Sequence, residues 1–287
     1  TSAKVQLNVT WEMAAVPYIP VFDKVAQHIS NLKEQGIHHL QMSWTLGGCP
    51  TPNLRLAAWL MEDEGTVQEF LCDWLGEDVG KGGFEAQGVL SRAFSHFPFH
   101  LNSLYYGPQN YGPMAPFFLK NTGYRASMLG YPYDDMKSWS GIYPPEIYEN
   151  EYRQLCEEWK QGLKLLERYE GYDKELDEMI FMAKTVLCQY ESAYHHARFV
   201  NRRNAIFRDR DTTGLEKQDY NMRREELLQI IREEMETVQS TIRLRLADSR
   251  VGFESSNHYF YTLQDLKEKM INLAYCEEQF LQIGGEL

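Results

Sequence analysis

The chain has 287 residues, a formal net charge of −12 at pH 7 and an apolar content of 43%. This length can bury a substantial core in one large or two ordinary domains, and the composition is typical of a globular protein. The acidic balance argues against a nucleic-acid partner, because no basic stripe is present to displace the counterions of phosphates. The sequence contains no apolar run of about 18 residues, so no membrane-spanning segment is predicted.

The five cysteines are scattered and include no Cys-x-x-Cys pair. This pattern favours reduced thiols over a disulfide framework and predicts a cytoplasmic protein. The sequence opens on Thr1 rather than on an initiator Met. A signal upstream of Thr1 would change the expected localisation.

The first 50 residues predict a strand, a helix and a second strand. Apolar and polar residues alternate over residues 4–12, an amphipathic pattern follows over 22–32, and residues 40–45 predict the second strand. A parallel pair of strands has edges and faces that need neighbours. We therefore expect residues 1–50 to lie inside a larger sheet or barrel, completed by an upstream segment, by the helical region or by a second chain.

Residues 51–144 are predicted to hold short helices followed by an irregular segment. Thr51 and Thr66 each precede a helical pattern, and the glycine run at 80–83 predicts a break before a third helix. Residues 99–145 are rich in Gly, Pro, Tyr and Asn and show no clear periodicity. A structureless stretch of this length inside a compact protein is usually functional.

Residues 145–287 predict long helices, because apolar residues recur at spacings of three and four. Short breaks near Gly171 and at residues 211–214 favour an α-helical bundle. The predicted fold class is mainly α with a short α/β segment, divided into residues 1–50, 51–144 and 145–287.

Glu12 is the first candidate for chemistry. In a parallel α/β barrel the carboxyl ends of the strands point into the active site, where a carboxylate can act as nucleophile, acid, base or substrate clamp. The alternative is a charged residue in a loop just past a strand. Trp11 beside it and Trp44 near the end of the second strand favour a site, because two indoles could flank a pocket and stack on a sugar.

The stretch VQLNVTWEMAAVPYIPVFDKVAQHISNLKEQGIHHLQMSWTLGG resembles the last two strands of a (β/α)8 glycoside hydrolase. In that resemblance, Glu12 and Trp44 match the strand-seven nucleophile and strand-eight tryptophan of the retaining-glycosidase superfamily with carboxylates on strands four and seven. The stretches SRAFSHFPF, YGPQNYGPMAPF, GYPYDD and SWSGIYPPEIYE are similar to the helical C-terminal region of bacterial glycosidase-like proteins. The resemblance covers most of the chain.

The resemblance implies a carbohydrate substrate and cleavage of its glycosidic bond by two carboxyl groups. Glu12 would attack the anomeric carbon or stabilise the transition state, and a second carboxylic acid would protonate the leaving oxygen. The acid/base of that family lies on an earlier strand, and these residues contain no earlier strand. The catalytic partner of Glu12 is therefore expected outside this chain.

Two polar pairs lie in the irregular segment. Asp134 and Asp135 could clamp sugar hydroxyls if the segment folds over the barrel mouth, or could cap the following turn. Gln109 and Asn110 lie between two Gly-Pro turns. They could bind hydroxyls or merely satisfy the loop backbone.

No metal site and no cofactor are predicted. The sequence contains no His-Glu-x-x-His motif and no phosphate-binding glycine loop. His195 and His196 are adjacent on a predicted helix and cannot share a face. Satisfied or exposed histidines are the preferred interpretation.

Three functions from different classes remain open at this point. The first is part of a glycoside hydrolase, which predicts that Glu12 faces a concave pocket shared with Trp44. The second is a non-catalytic carbohydrate-binding module, and the third is a helical module that binds a protein partner.

Overall fold

A computed structural model describes residues 1–8, 12–42, 49–62, 65–128, 131–213, 217–254 and 258–282. Within them the protein is mainly helical with a small parallel sheet, which confirms the coarse fold class. The strands are β1 Ser2–Val5, β2 His39–Met42, β3 Phe253–Glu254 and β4 His258–Tyr259. The helices are α1 Phe22–Glu34, α2 Pro52–Glu62, α3 Val67–Leu75, α4 Glu77–Phe94, α5 Leu101–Tyr106, α6 Met136–Ser140, α7 Pro145–Leu166, α8 Lys174–Thr213, α9 Lys217–Ala247 and α10 Leu263–Gln282.

The predicted strand–helix–strand unit is present, with β1 and β2 paired in parallel and Ser2 opposite His39. β1 ends at Val5, earlier than the predicted end at residue 12. The reason is that the next carbonyl oxygens are used elsewhere. That of Leu7 accepts a hydrogen bond from the Asn53 side chain, and that of Asn8 accepts one from a backbone N–H in the loop before α1.

Both strands of this pair are largely open to solvent in the described part of the chain. Only Val5 is buried among the eight paired residues, with 8% of its surface exposed. Two strands alone are marginally stable in water and need further packing. The described residues include no strand that extends this sheet.

Contacts group the chain into two compact units, and two of the five boundaries between them fall inside α7 and α8. The domain boundaries predicted at residues 50 and 144 remain predictions. The first unit comprises Thr1–Phe97, Gln154–Leu187 and Ser249–Phe260, and the second comprises Pro98–Arg153, Cys188–Asp248 and Tyr261–Leu287.

The first unit packs helices around α1 and α4. The side chain of Gln87 on α4 is fully buried and accepts a hydrogen bond from the backbone N–H of Phe22 at the start of α1. The glycine run at residues 80–83 lies inside α4, so the predicted break there is wrong. A Cβ on Gly80 would come within 2.5 Å of Cα of Cys72 on α3, so this glycine permits close packing of the two helices.

The second unit contains α5, α6, α9 and α10 together with parts of α7 and α8. The segment predicted to be irregular contains two short helices, α5 and α6, and two single 3-10 turns at Pro108–Asn110 and Gly112–Met114. Among the described residues, no helix has both the length and the apolar character needed to cross a membrane.

Candidate functional site

Glu12 lies in a turn near the middle of the segment that joins β1 to α1. Its side chain is half-buried, and the neighbouring Met13, Ala15 and Val16 are fully buried. Burial raises the pKa of the Glu12 carboxyl, and a hydrogen bond with its own backbone N–H opposes part of that increase. A carboxyl group in this environment holds its proton at a higher pH than an exposed one does.

Buried polar side chains hold the segments that follow the two parallel strands. The amide nitrogen of Asn53, which is fully buried, donates to the carbonyl oxygens of Leu7 and Ile19 at 2.9 Å and 2.8 Å. The hydroxyl of Thr51 donates to the side-chain oxygen of Asn8 at 2.6 Å. These bonds fix the loops at the edge of the sheet where the carboxyl ends of both strands lie, and active sites of parallel sheets occur at that edge.

A cavity of about 370 Å³ lies beside these loops, and we call it the loop-end cavity. The segment after β1 contributes Tyr18 to it, and the segment after β2 contributes Pro50 and Thr51. Glu12 is not among its lining residues. The complete lining is Tyr18, Pro50, Thr51, Pro52, Arg55, Lys174, Glu175, Glu178, Met182 and Arg250.

Tyr18 is the most unusual residue of the loop-end cavity. Its side chain is 4% exposed, and its hydroxyl has no hydrogen-bond partner within the described residues. Burial raises the pKa of this phenol far above its usual value, although the charge of Arg250 opposes the increase. The hydroxyl therefore stays protonated and leaves a buried donor unused, which costs about 1–3 kcal/mol when nothing compensates.

The charged residues of the loop-end cavity are only partly paired. Arg55 Nη1 lies 2.7 Å from a carboxylate oxygen of Glu175, and Arg250 Nη2 lies 4.0 Å from one of Glu178. Lys174 makes no hydrogen bond or ion pair with any residue that the structure describes. Sequence reasoning missed this site, because its members come from distant segments and no local motif marks them.

Trp11 and Trp44, the two predicted stacking residues, lie outside the described residues. The expectation that Glu12 and Trp44 share a pocket stays a prediction for the same reason.

Asp134 and Asp135 lie next to each other but make different contacts. Asp134 is 4% exposed and pairs with Arg203 at 2.8 Å, while also accepting a hydrogen bond from the backbone N–H of Thr122. Asp135 caps α6 by accepting hydrogen bonds from the backbone N–H and the hydroxyl of Ser138. The contacts of Asp135 fit the capping alternative, and the sugar-clamp role of both residues stays a prediction.

Both aspartates nevertheless line a larger cavity of about 740 Å³ in the second unit, which we call the polar cavity. Tyr124 lines this cavity with 66% of its surface exposed. The centroid of its ring lies 5.1 Å from that of the Tyr133 ring. Amide and charged side chains also line this cavity. Two of them, Asn201 and Arg202, donate hydrogen bonds to the carboxylate of Glu149. Such a mixture of an exposed ring and planar polar groups can bind a polyhydroxylated ligand.

Gln109 and Asn110 are buried within the second unit. Gln109 is fully buried, and its amide donates to the carbonyl oxygen of Ser103 while accepting from the hydroxyl of Tyr152. The amide of Asn110 donates to the carbonyl oxygen of Leu104 at 2.8 Å. These bonds favour the alternative in which both residues satisfy the loop backbone, and sugar binding by them stays a prediction.

The second unit also contains a buried ionic cluster that the sequence did not indicate. Glu234 on α9 is fully buried and lies 2.9 Å from His195 Nδ1 and 3.1 Å from Lys269 Nζ. His196 is buried beside them, and its ring nitrogens lie 2.8 Å and 2.9 Å from the carbonyl oxygens of Ser192 and Ala115. Both histidines are thus held by protein groups, and the cluster joins α8, α9 and α10 internally.

Within the described ranges, no three His, Cys, Asp or Glu side chains come together in a way that could hold a metal ion. Comparison of the chain with protein-family models, with curated proteins and with solved structures found no match.

Proposed function

We propose that this chain is part of a glycoside hydrolase and that Glu12 is one of its two active-site carboxyl groups. The observation that carries this proposal is the position of Glu12. It is a half-buried carboxylate in the segment that follows a parallel strand, and the same segment contributes Tyr18 to a cavity. The resemblance of residues 5–48 to the last two strands of a hydrolase barrel supports the same function.

In this proposal β1 and β2 are the seventh and eighth strands of a (β/α)8 barrel. The remaining strands come from an upstream segment or from a second chain and cover the open edges of the pair. They also supply the acid/base that protonates the leaving oxygen. Glu12 then acts in its ionised form, as the nucleophile in a retaining reaction or as the base that activates water in an inverting one, and its raised pKa shifts this activity to higher pH.

The decisive comparison is between two carboxylates of the first unit. Glu12→Gln keeps the shape of the side chain but removes its charge and its nucleophilicity. Glu62→Gln makes the same change at the exposed end of α2. We expect Glu12→Gln to lower kcat/KM for aryl glycosides by roughly 10²–10⁴-fold in the full-length protein, and Glu62→Gln to leave it unchanged. Full turnover by Glu12→Gln would remove the catalytic role.

The polar cavity favours a second candidate function, a non-catalytic carbohydrate-binding module. Its exposed Tyr124 ring offers a flat apolar surface beside amide and carboxylate groups, which suits a sugar. In that case sugar binding is lost in Tyr124→Ala, whereas no glycoside is hydrolysed by the wild-type protein. Titration of Glu12→Gln and Tyr124→Ala with oligosaccharides, together with the turnover assay, separates the two candidate functions.

A further inference from the structure

We propose that the loop-end cavity binds the carboxylate of an acidic sugar, so that the substrate of the proposed hydrolase carries a sugar-acid unit. The sugar part of this inference rests on the proposed function. The anion part rests on the cavity alone, and specifically on Tyr18, Lys174 and the charges around them.

The size and position of the cavity suit a small ligand. Its volume of about 370 Å³ lies within the usual range for small-molecule pockets, ~300–1,000 Å³. Its walls include residues from the segments after both parallel strands, and the buried Asn53 and Thr51 fix those segments. These hydrogen bonds hold this wall of the cavity in one conformation.

The groups left without partners at this cavity are donors. The buried hydroxyl of Tyr18 and the solvent-exposed ammonium of Lys174 have no protein partner in the part of the chain that the structure describes. Tyr18 lines the cavity, and burial keeps its phenol protonated by raising its pKa, so the group that a ligand would meet there is a hydrogen-bond donor. A ligand that satisfies both groups must bring acceptor atoms, and an ionised carboxylate is an acceptor at both of its oxygens.

The charges of the residues that line the loop-end cavity favour a ligand with a single negative charge. Three cationic side chains line the cavity, namely Arg55, Lys174 and Arg250, against the two carboxylates Glu175 and Glu178, which leaves one positive charge in excess. Glu175 already compensates Arg55 at 2.7 Å. A ligand with a single negative charge balances the remainder, whereas a polyanion would be repelled by the two glutamates.

Affinity measurements with glucuronate, glucose and acetate test the anion and the sugar separately. We expect glucuronate to bind the wild-type protein at least ten-fold more tightly than either glucose or acetate, with an affinity that falls as salt is added. Glucose binding as tightly as glucuronate would overturn the anion site. Acetate binding as tightly as glucuronate would overturn the sugar-acid assignment, because the ring would then contribute nothing.

Two variants and one control locate the binding site. Tyr18→Phe removes only the hydroxyl and is expected to weaken glucuronate binding about ten-fold, since a hydrogen bond to a charged group is lost. Lys174→Gln is expected to weaken it about two- to five-fold, and Lys164→Gln, at an exposed lysine of α7, not at all. Unchanged affinity in both Tyr18→Phe and Lys174→Gln would contradict the proposal.

Stability distinguishes a ligand-binding hydroxyl from a structural one. Because the Tyr18 hydroxyl has no partner among the described residues, we expect Tyr18→Phe to be as stable as the wild type or more so. Loss of stability in this variant would mean that the hydroxyl is bonded within the protein, and would also overturn the proposal.

The failure of this inference can be told apart from failure of the proposed function. Turnover of neutral glycosides that depends on Glu12, without preference for glucuronate, would overturn the sugar-acid site and leave the hydrolase intact. Glucuronate binding that depends on Tyr18, without any glycoside turnover, would keep the anion site and refute the hydrolase.

Discussion

Asp134 and Arg203 form a buried ion pair in the second unit, with side chains that are 3% and 1% exposed. Burial lowers the pKa of the Arg203 guanidinium, and the Asp134 carboxylate opposes this by stabilising the charged form. Removing one partner would leave the other charge buried and uncompensated. We expect Asp134→Ala to lower the free energy of unfolding by about 3–5 kcal/mol, as measured by urea denaturation.

The neighbouring Asp135 provides the matched control. It caps α6 by accepting hydrogen bonds from Ser138, accepts another from the backbone N–H of Ala126, and forms no ion pair with a residue that the structure describes. Asp135→Ala should cost about 0.5–2 kcal/mol, the usual cost of losing a helix cap. A smaller loss for Asp134→Ala than for Asp135→Ala would show that the buried pair does not stabilise the protein.

His196 makes the stability of the protein depend on pH. Burial lowers the pKa of His196 to about 4, and the nearby Lys269 ammonium adds to that effect. Below its usual pKa of 6.5 the unfolded chain binds a proton that the folded chain does not. The free energy of unfolding therefore falls from pH 6.5 to pH 4, by about 3 kcal/mol in total, and the stabilisation is complete above pH 6.5.

The Glu234 carboxyl of the same cluster titrates at a lower pH than His196. Burial opposes ionisation of Glu234, but Lys269 and His195 outweigh it and hold the pKa of that carboxyl at about 2. Its contribution to stability is lost only as the pH falls from about 4.5 to 2. His196→Gln should therefore flatten the dependence between pH 6.5 and 4.5, whereas the exposed His38→Gln should not. An unchanged slope in His196→Gln would assign the dependence to another group.

At the scale of elements, α4 and α7 approach each other at a glycine. A Cβ on Gly162 of α7 would lie 2.7 Å from Cδ2 and 3.1 Å from the backbone nitrogen of Leu90 on α4. A backbone atom cannot move aside cheaply. We expect Gly162→Ala to destabilise the protein by about 1–3 kcal/mol in thermal or urea unfolding, despite the better helix propensity of alanine.

Gly88 tests the opposite case on α4. A Cβ there would meet side-chain atoms of Arg92 and Asp23 at 3.7 Å and 3.8 Å, which is ordinary contact. Gly88→Ala should therefore stabilise the protein by up to about 1 kcal/mol. If both substitutions had the same sign, helix propensity rather than packing would determine the outcome at these two positions.

An element could be predicted where the residues that determine it lie close together in the sequence. The long helices were predictable because apolar spacing along one helix records the face that it buries. The glycine run was interpreted wrongly because Gly80 is required by contact with Cys72 on another helix, which local sequence does not record. β1 ended early for a similar reason, since Asn53 and the loop before α1 take the carbonyl oxygens that a strand would use.

The candidate site likewise has one part that the sequence could predict and one part that it could not. Glu12 could be named from its position after a predicted strand. The loop-end cavity could not, because Tyr18, Lys174 and Arg250 come from segments far apart in sequence. The Tyr18 hydroxyl is buried without a partner among the described residues, which is a property of the folded chain. In the sequence Tyr18 is one of 18 tyrosines, and nothing distinguishes it from the others.

At the scale of the whole molecule, the parallel pair is the feature that calls for further structure. Seven of the eight residues in β1 and β2 are partly or fully exposed, and the described residues add no third strand. A parallel sheet is normally covered on both faces. In the function proposed above, the other strands of a barrel cover this pair and supply the second carboxyl group.

Chemical rescue of Glu12→Ala by azide in the full-length protein tests the catalytic role of this carboxylate most directly. A small anion can occupy the space that the alanine leaves and attack the anomeric carbon, whether the reaction retains or inverts configuration. We expect turnover of an aryl glycoside to fall by roughly 10²–10⁴-fold and azide to restore at least ten-fold of it, with a glycosyl azide as product. Wild-type turnover in Glu12→Ala, unaffected by azide, would contradict a catalytic Glu12.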